Sequence, residues 1–391
     1  MTDRQEVIFD VVGFDTEKRK ARSVVLWRHE RLPLPLGYLR DEDLVALLEE
    51  MLRAAEEVAG GVEVICSLRY PDIRGTVVEG KAKVYLPGRL QTDRGTRAPL
   101  VHVAGYEAER GGGEGFIGQG FIVSTPHAEP DNPLVRGENI DVAILHRMRA
   151  LPFVDDARVI ILGGSAGGYM TLLLAAETFP LSCCAPDVPP VNLGYNVAYL
   201  MHNKALAAAQ PEGQDHPNMP VLNVVTPLGD MCSAIYGTDY DADAWMAASP
   251  LGRMDEITCP AIITCSTADI LVPADQFGAA MVRPEDAGQF PQGFEMRMGA
   301  ILSRQSSRRT LVEALEAGEV EVFTVPAPAA PRNGWDGAPE GGAAPVNLPL
   351  PFSKDKRVSL VVVDEGAPEP SCGHTKYAIG LDKIAFLLHY Y

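Results

Sequence analysis

Basic residues are scarce in this sequence. It has 34 Lys and Arg against 52 Asp and Glu, and a formal net charge of −18. A chain this acidic is repelled by phosphate backbones and by anionic membrane surfaces, so we expect neither a nucleic acid nor a membrane as partner. The local basic cluster Arg304–Arg309 is typical of a solvated helix face.

Long apolar runs and paired cysteines are also missing. No uninterrupted apolar stretch approaches the roughly 18 residues that a membrane helix needs, and the charged residues Met1–Val7 do not resemble the start of a secretory signal. The 7 cysteines are odd in number and form no C-x-x-C pair. We therefore expect reduced thiols, no zinc site and a cytoplasmic protein.

What is present is an ordinary globular composition, with 46% hydrophobic and 22% charged residues over 391 positions. This length can bury a sizeable core in one large catalytic domain with additions, or in two domains. Residues 1–75 predict an N-terminal extension or a small accessory domain. From residue 76 to 391, strands and helices alternate as in an α/β fold with a mostly parallel central sheet flanked by helices.

Two segments interrupt that alternation and predict lid insertions. Residues 186–250 are rich in Pro, Asn, Asp, Tyr and Met and predict a cap of short helices. Residues 275–355 contain a Pro/Gly/Ala-rich tract, which is typical of an extended loop or a mobile lid.

Apolar periodicity predicts the individual elements. The predicted strands are 7–12, 23–27, 62–67, 82–85, 100–104, 120–125, 158–163, 181–185, 259–264, 320–325 and 357–364. The predicted helices are 41–59, 139–151, 168–179, 298–317 and 380–391. In the last of these we expect Ile384, Leu387 and Leu388 to face inward.

The strongest chemical signal is the pattern G-x-S-x-G at Gly163–Gly167, which places Ser165 at its centre. A serine on a tight strand-to-helix turn needs small neighbours, because larger side chains would keep the two elements apart. A largely β-branched strand, 159–162, precedes the pattern, and an apolar helix, 169–176, follows it. The alternative is a glycine-rich turn that binds phosphate or only packs.

A serine hydroxyl needs a base, and the base needs an orienting acid. Chain order in such folds is serine, acid, histidine, with the last two on loops after strands. Asp269 follows the predicted strand at 259–264, and His374 follows the strand at 357–364. The alternatives are a loop-capping role for Asp269 and an ordinary loop position for His374. The competing residues have less suitable positions; they are His29, His102, His127, His146, His202, His216, His389, Asp255 and Asp275.

The tetrahedral intermediate of acyl transfer also needs two donors for its oxyanion. The backbone N–H of Ala166 is the natural first donor, because it directly follows the nucleophile. The second is expected from the turn Gly105–Tyr106 after the strand at 100–104. Tyr106 is predicted either to give its backbone N–H or to line the acyl pocket, and a plain surface tyrosine fits equally well.

Several blocks of the sequence resemble the catalytic domain of the prolyl oligopeptidase (S9) family. They are Asp141–Leu151, Asp155–Arg158, Gly163–Thr171, Ser249–Leu251, Ile257, Pro260, Asp269–Pro273 and Gln276. The resemblance covers about residues 95–280 and 357–391. It implies an α/β-hydrolase fold in which Ser165, Asp269 and His374 form the catalytic triad.

The sequence departs from that family in three places. The family's His-Gly-Gly-Pro-like turn is replaced by Val103–Tyr106, which leaves the second oxyanion donor open. The residues before the match are too few for the β-propeller of the peptidases. The segment between Asp269 and His374 is much longer than is usual, which predicts that the site has its own covering element.

Together these features predict a serine hydrolase that cleaves carboxylic ester bonds through an acyl-enzyme. A serine peptidase acting on short peptides is the alternative, and a non-catalytic binding protein of the same fold is the third. We expect no metal and no organic cofactor, and a small ester or a short peptide as substrate. The sequence does not determine the oligomeric state, and it is compatible with a homo-oligomer. The predicted substrate-binding residues are Tyr106, Tyr169, Tyr195 and Trp245; the alternative is that the aromatic residues of 186–250 form the core of the lid.

Overall fold

A computed structural model describes most of the predicted elements. It describes residues 4–15, 20–33, 62–71, 77–87, 97–105, 116, 119–127, 138–149, 151, 153–176, 180–208, 219–267, 269, 271–279, 310–316, 318–326, 332–333, 338–339, 349–364, 374 and 383–391. The chain divides into two compact units, 1–163 with 179–183 and 391, and 164–178 with 184–390. Neither unit begins at residue 76, and that domain boundary stays a prediction.

The first unit contains seven strands within its described residues. They are β1 (Arg4–Asp15), β2 (Lys20–Pro33), β3 (Val62–Pro71), β4 (Val77–Leu86), β5 (Ala98–Val103), β6 (Ile122–His127) and β7 (Val154–Gly164). They pair in the order β7-β5-β6-β4-β3-β1-β2. The β5 strand is parallel to both β6 and β7, whereas β4, β3, β1 and β2 continue the sheet with antiparallel pairs.

The second unit contains a parallel group of strands. They are β8 (Cys183–Asp187), β9 (Ala261–Ser266), β10 (Val320–Pro326) and β13 (Val358–Asp364), and the two-residue strands β11 (Arg332–Asn333) and β12 (Ala338–Pro339) pair separately. The order is β10-β13-β9-β8, and all three pairings are parallel. In β13, six of the seven residues are buried, as expected of a Val-rich strand covered on both faces. Exposed positions dominate β10, which is the edge strand of the group.

Helices follow or separate these strands. They are α1 (Glu138–Arg149), α2 (Ala166–Ala175), α3 (Leu193–Ala208), α4 (Met219–Tyr236), α5 (Asp243–Ala247), α6 (Leu311–Ala314) and α7 (Ile384–Tyr390), with 3-10 turns at Pro250–Arg253 and Ala274–Phe277. All ten residues of α2 are buried, because its sequence is apolar on every face. The parallel strands that alternate with helices confirm the predicted α/β class.

Three expectations about helices change or fall outside the described residues. The segment 186–250 was expected to form short helices, but α3 and α4 have 16 and 18 residues. Leu388 was expected to face inward, yet it is 37% exposed, and Phe386 is buried instead. The predicted helix 41–59 and most of the predicted helix 298–317 lie outside the described residues.

A buried polar cluster lies in the first unit, between β5, β6 and α1. The imidazole of His102 is hydrogen-bonded through Nδ1 to Ser124 Oγ at 3.0 Å and through Nε2 to Asp141 Oδ1 at 2.8 Å. All three side chains are fully buried. Burial lowers the pKa of His102 from 6.5 to about 3, so the imidazole is neutral at ordinary pH.

Candidate active site

The turn between β7 and α2 holds Ser165 in a strained conformation. Its φ is 57° and its ψ is −120°, and it is one of two non-glycine residues with positive φ among the described residues. L-amino acids with side chains avoid this region because Cβ approaches the backbone, so the surrounding hydrogen bonds must hold it. Ser165 N–H donates to Asp187 O at 2.8 Å, and Ser165 O accepts from Tyr169 N–H at 3.0 Å.

His374 lies beside this turn. Its Nε2 is 2.7 Å from Ser165 Oγ, and its Nδ1 is 2.7 Å from Asp269 Oδ2. An ionised carboxylate only accepts hydrogen bonds, so the proton of a neutral imidazole belongs on Nδ1 and leaves Nε2 to accept from the serine hydroxyl. The histidine is 2% exposed, whereas Ser165 is only half-buried.

Asp269 comes after the end of β9 and is fixed by its own backbone surroundings. Its N–H donates to Ser266 O at 3.3 Å. Its Oδ1 accepts from Leu271 N–H at 2.8 Å and Val272 N–H at 2.9 Å. These two donors occupy one carboxylate oxygen and leave Oδ2 directed at His374.

The structure therefore brings together the three residues that the sequence singled out. They come from three separate stretches of the chain, and all three lie in the second unit. A hydroxyl bonded to a base, with the base bonded to a buried carboxylate, can transfer the hydroxyl proton as the oxygen attacks a carbonyl.

The structure describes two of the three residues that were predicted as oxyanion donors. Ala166 is the first residue of α2, where backbone N–H groups have no acceptor inside the helix and the helix dipole favours negative charge. Gly105 lies after β5 in the first unit, with a φ of 77°. Tyr106 falls outside the described residues, so the second donor stays a prediction.

Three predicted substrate-binding residues are core residues in the structure. Tyr169 donates its hydroxyl to Ala248 O at 2.6 Å, and Tyr195 donates to Asp275 Oδ2 at 2.5 Å. Trp245 packs against two other tyrosine rings, with centroids 5.1 and 5.3 Å away. Each of the three is at most 1% exposed, so burial leaves them no surface for a substrate, and the structure does not support that role.

Sequence reasoning gave no role to two groups of residues near the site. Gln276, which the sequence indicates only through the family resemblance, accepts from Val191 N–H and Asn192 N–H at 2.8 and 3.1 Å. It thereby holds the 3-10 turn that follows the Asp269 loop against the start of α3. Asp187 and Lys383 form a buried ion pair next to the serine turn, and no local pattern in the sequence pairs them.

The described residues contain neither a clustered metal site nor a membrane span. Within those ranges, no three His, Cys, Asp or Glu side chains come together as metal ligands. No helix in the part of the chain that the structure covers has the length and apolar content to cross a bilayer. The cysteines at 183, 184, 232, 259 and 265 are buried and unbridged.

Comparison with known proteins gives matches in structure alone. No family model matches the chain, and no curated protein matches it in sequence. An acylaminoacyl peptidase of Pyrococcus horikoshii is similar with a TM-score of 0.40 and 13% identity, over 77% of this chain and 37% of the peptidase. This chain therefore spans about a third of that protein's length.

Two other similar structures are a lipase and an esterase. Lipase A of Candida antarctica gives a TM-score of 0.38 at 13% identity, over 56% of this chain and 69% of the lipase. An esterase of Pyrococcus furiosus gives 0.36 at 16%, over 61% of this chain and 90% of the esterase. Because these values are low, the assignment rests on the geometry of the chain itself. A serine on a strained strand-to-helix turn, followed in chain order by an aspartate and a histidine after later parallel strands, is the arrangement of an α/β-hydrolase fold.

Proposed function

We propose that this protein is a serine hydrolase that cleaves carboxylic esters through an acyl-enzyme intermediate. The observation that carries the proposal is the continuous chain of hydrogen bonds from Ser165 Oγ through His374 to Asp269. The strained turn supports it, because strained backbone positions have an energetic cost and cluster at active sites.

The reaction has two halves. Ser165 Oγ attacks the ester carbonyl while His374 Nε2 takes the hydroxyl proton, and Asp269 stabilises the resulting imidazolium. The oxyanion accepts from Ala166 N–H, and collapse of the intermediate expels the alcohol, which takes the proton from His374. Water then attacks the acyl-enzyme, His374 again serves as base, and the carboxylic acid leaves as Ser165 is regenerated.

The preference for esters over peptides comes from the chemistry of the leaving group. An ester has a better leaving group than an amide, so it needs less precise protonation of that group. Peptide hydrolysis by the same three residues is the competing activity.

The test compares two substrate classes on the whole chain. We expect short-chain p-nitrophenyl esters to be turned over faster, per active site, than peptide p-nitroanilides. The Ser165→Ala variant is expected to lose about 10⁶-fold in kcat on both, since the three side chains act as a unit. Faster turnover of the anilides would overturn the ester preference, and an equally active alanine variant would overturn the hydrolase mechanism itself.

A further inference from the structure

A buried cluster of charge lies beside the serine turn, and the proposed reaction does not use it. Lys383 is 7% exposed, and its ammonium forms an ion pair with the carboxylate of Asp187. It also donates to Ala185 O at 3.1 Å. The Asp187 carboxylate accepts a further hydrogen bond from Thr264 Oγ1 at 2.6 Å.

Each member of this cluster lies on a segment that leads to one of the three active-site residues. The carbonyl of Asp187 accepts from Ser165 N–H at 2.8 Å, so it holds the strained turn. Thr264 is in β9, whose last residue, Ser266, accepts from Asp269 N–H at 3.3 Å. Lys383 follows His374 by nine positions in the chain, and its carbonyl accepts from Leu387 N–H at 2.9 Å at the start of α7.

The residue after Asp187 has a strained backbone conformation, which its surroundings must stabilise. Val188 directly follows Asp187 and has a φ of 40°, a value that a β-branched residue adopts only under constraint. Its N–H donates to Thr264 O at 2.9 Å. The end of β8 is therefore bent sharply where its carbonyl meets Ser165, and the side chain of Asp187 is anchored at that bend.

A buried ion pair by itself contributes little to the free energy of unfolding. Desolvation of two charges offsets much of their attraction, and apolar residues of similar volume are often equally stabilising or better. Burial lowers the pKa of Lys383, and the Asp187 carboxylate opposes that shift. The pair thus has a cost in desolvation, while its hydrogen bonds join Lys383 to β8 and β8 to Thr264 of β9.

We infer that Lys383 is a positioning residue for the reaction at Ser165, acting through Asp187 to fix the serine turn. This inference rests on the proposed hydrolase function. A displacement of reacting groups by about 1 Å lowers enzymatic rates by about 10²-fold, and rigid anchors prevent such displacements. Lys383 itself need not touch the substrate.

The test measures the rate constant for labelling of Ser165 by a fluorophosphonate, together with kcat and KM on an ester. Lys383→Met keeps the length of the side chain but removes the ammonium, so it should lower the labelling rate and kcat by about 10- to 100-fold and leave KM nearly unchanged. The double variant Asp187→Asn with Lys383→Met removes both charges, and the asparagine can still accept from Thr264. It should melt near the wild-type temperature and still label slowly.

A matched control is available at Arg357 in the same unit. Its guanidinium also binds one carboxylate, that of Glu319, and one backbone carbonyl, that of Ile257. Arg357→Met should lower the melting temperature without changing the labelling rate of folded protein. If Lys383→Met does not fold, the labelling rate of the double variant Asp187→Asn with Lys383→Met tests the positioning role.

The outcomes separate the two proposals. A wild-type protein that does not label contradicts the hydrolase function. A wild-type protein that labels, with a folded double variant that labels at the same rate, contradicts the positioning role and leaves the hydrolase function intact. Equal loss of rate in the Arg357→Met control would also overturn the positioning role, since an ion pair away from the serine turn would then have the same effect.

Discussion

Replacing Asp269 by asparagine should reverse the proton arrangement of His374 while changing almost no volume. Asp269 Oδ1 accepts from Leu271 N–H and Val272 N–H, and Oδ2 lies 2.7 Å from His374 Nδ1. An asparagine has one acceptor oxygen, and the two backbone donors require it at the Oδ1 position. Its NH2 group then faces Nδ1, which must become an acceptor.

The consequence for the reaction follows from the tautomer. With Nδ1 as acceptor, the neutral imidazole carries its proton on Nε2, which lies 2.7 Å from Ser165 Oγ. A protonated Nε2 has no free lone pair to take the serine proton. The expected loss in kcat is about 10⁴-fold, with KM nearly unchanged.

Rotation of the asparagine amide at position 269 by 180° would restore the original tautomer of His374, but it cannot restore much activity. Turning the amide would place its NH2 against two backbone donors and leave both unsatisfied, at a cost of about 1–3 kcal/mol each. The combined cost of about 2–6 kcal/mol limits the flipped form to about 3% of the molecules or less. Residual activity should therefore stay below a few per cent.

The assay is ester hydrolysis per folded chain, with thermal melting as the folding check. Asp275→Asn is the matched control, because it makes the same chemical change six residues further along. Its partner, the Tyr195 hydroxyl, donates and can donate equally well to an amide oxygen. We expect the control to keep activity within a few-fold of wild type. An asparagine at 269 that keeps more than a tenth of wild-type kcat would refute a His374 tautomer set by the Asp269 carboxylate.

Two further predictions concern stability. Because the pKa of His102 is lowered to about 3, the unfolded chain gains a proton below pH 6.5 that the folded chain does not, so stability should fall by about 3 kcal/mol from neutrality to pH 4.5. Urea unfolding of His102→Gln should lack that slope, and an unchanged slope would contradict the neutral buried imidazole. Gly194→Ala would bring a Cβ to 2.7 Å from the carbonyl oxygen of Tyr240, which should cost about 1–3 kcal/mol in melting experiments. Gly229→Ala is the milder control, since its Cβ would meet the side chain of Val197 at 3.3 Å, and equal losses would refute the steric argument.

The sequence was sufficient for features whose signals are local. The β-branched strand, the small residues around Ser165 and the apolar helix after it are adjacent in the chain, so one short window contains the whole turn. Asp269 and His374 could be chosen because each follows a strand, and parallel strands bring such loops to one edge of a sheet. The Val-rich run 357–364 predicted a strand, and the structure has one at Val358–Asp364.

Features that depend on distant partners could not be predicted. Nothing near Asp187 in the sequence indicates Lys383, because the pair forms between a strand end and a residue almost two hundred positions later. Tyr169 and Tyr195 looked like pocket residues because aromatic rings serve both roles, and their burial and hydroxyl partners in the structure show that they are core residues. Short helices were expected in 186–250 because that segment is rich in Pro, Asn, Asp, Tyr and Met, yet α4 continues through Pro227, which is exposed within the helix.

The most direct measurement is mass spectrometry of the whole chain after treatment with a fluorophosphonate. The hydrolase mechanism predicts one adduct per chain, mapped to the peptide that contains Ser165, and no adduct on a Ser165→Ala variant that melts like wild type. A folded wild-type protein that takes up no label, or that takes it up on another residue, would contradict Ser165 as the nucleophile.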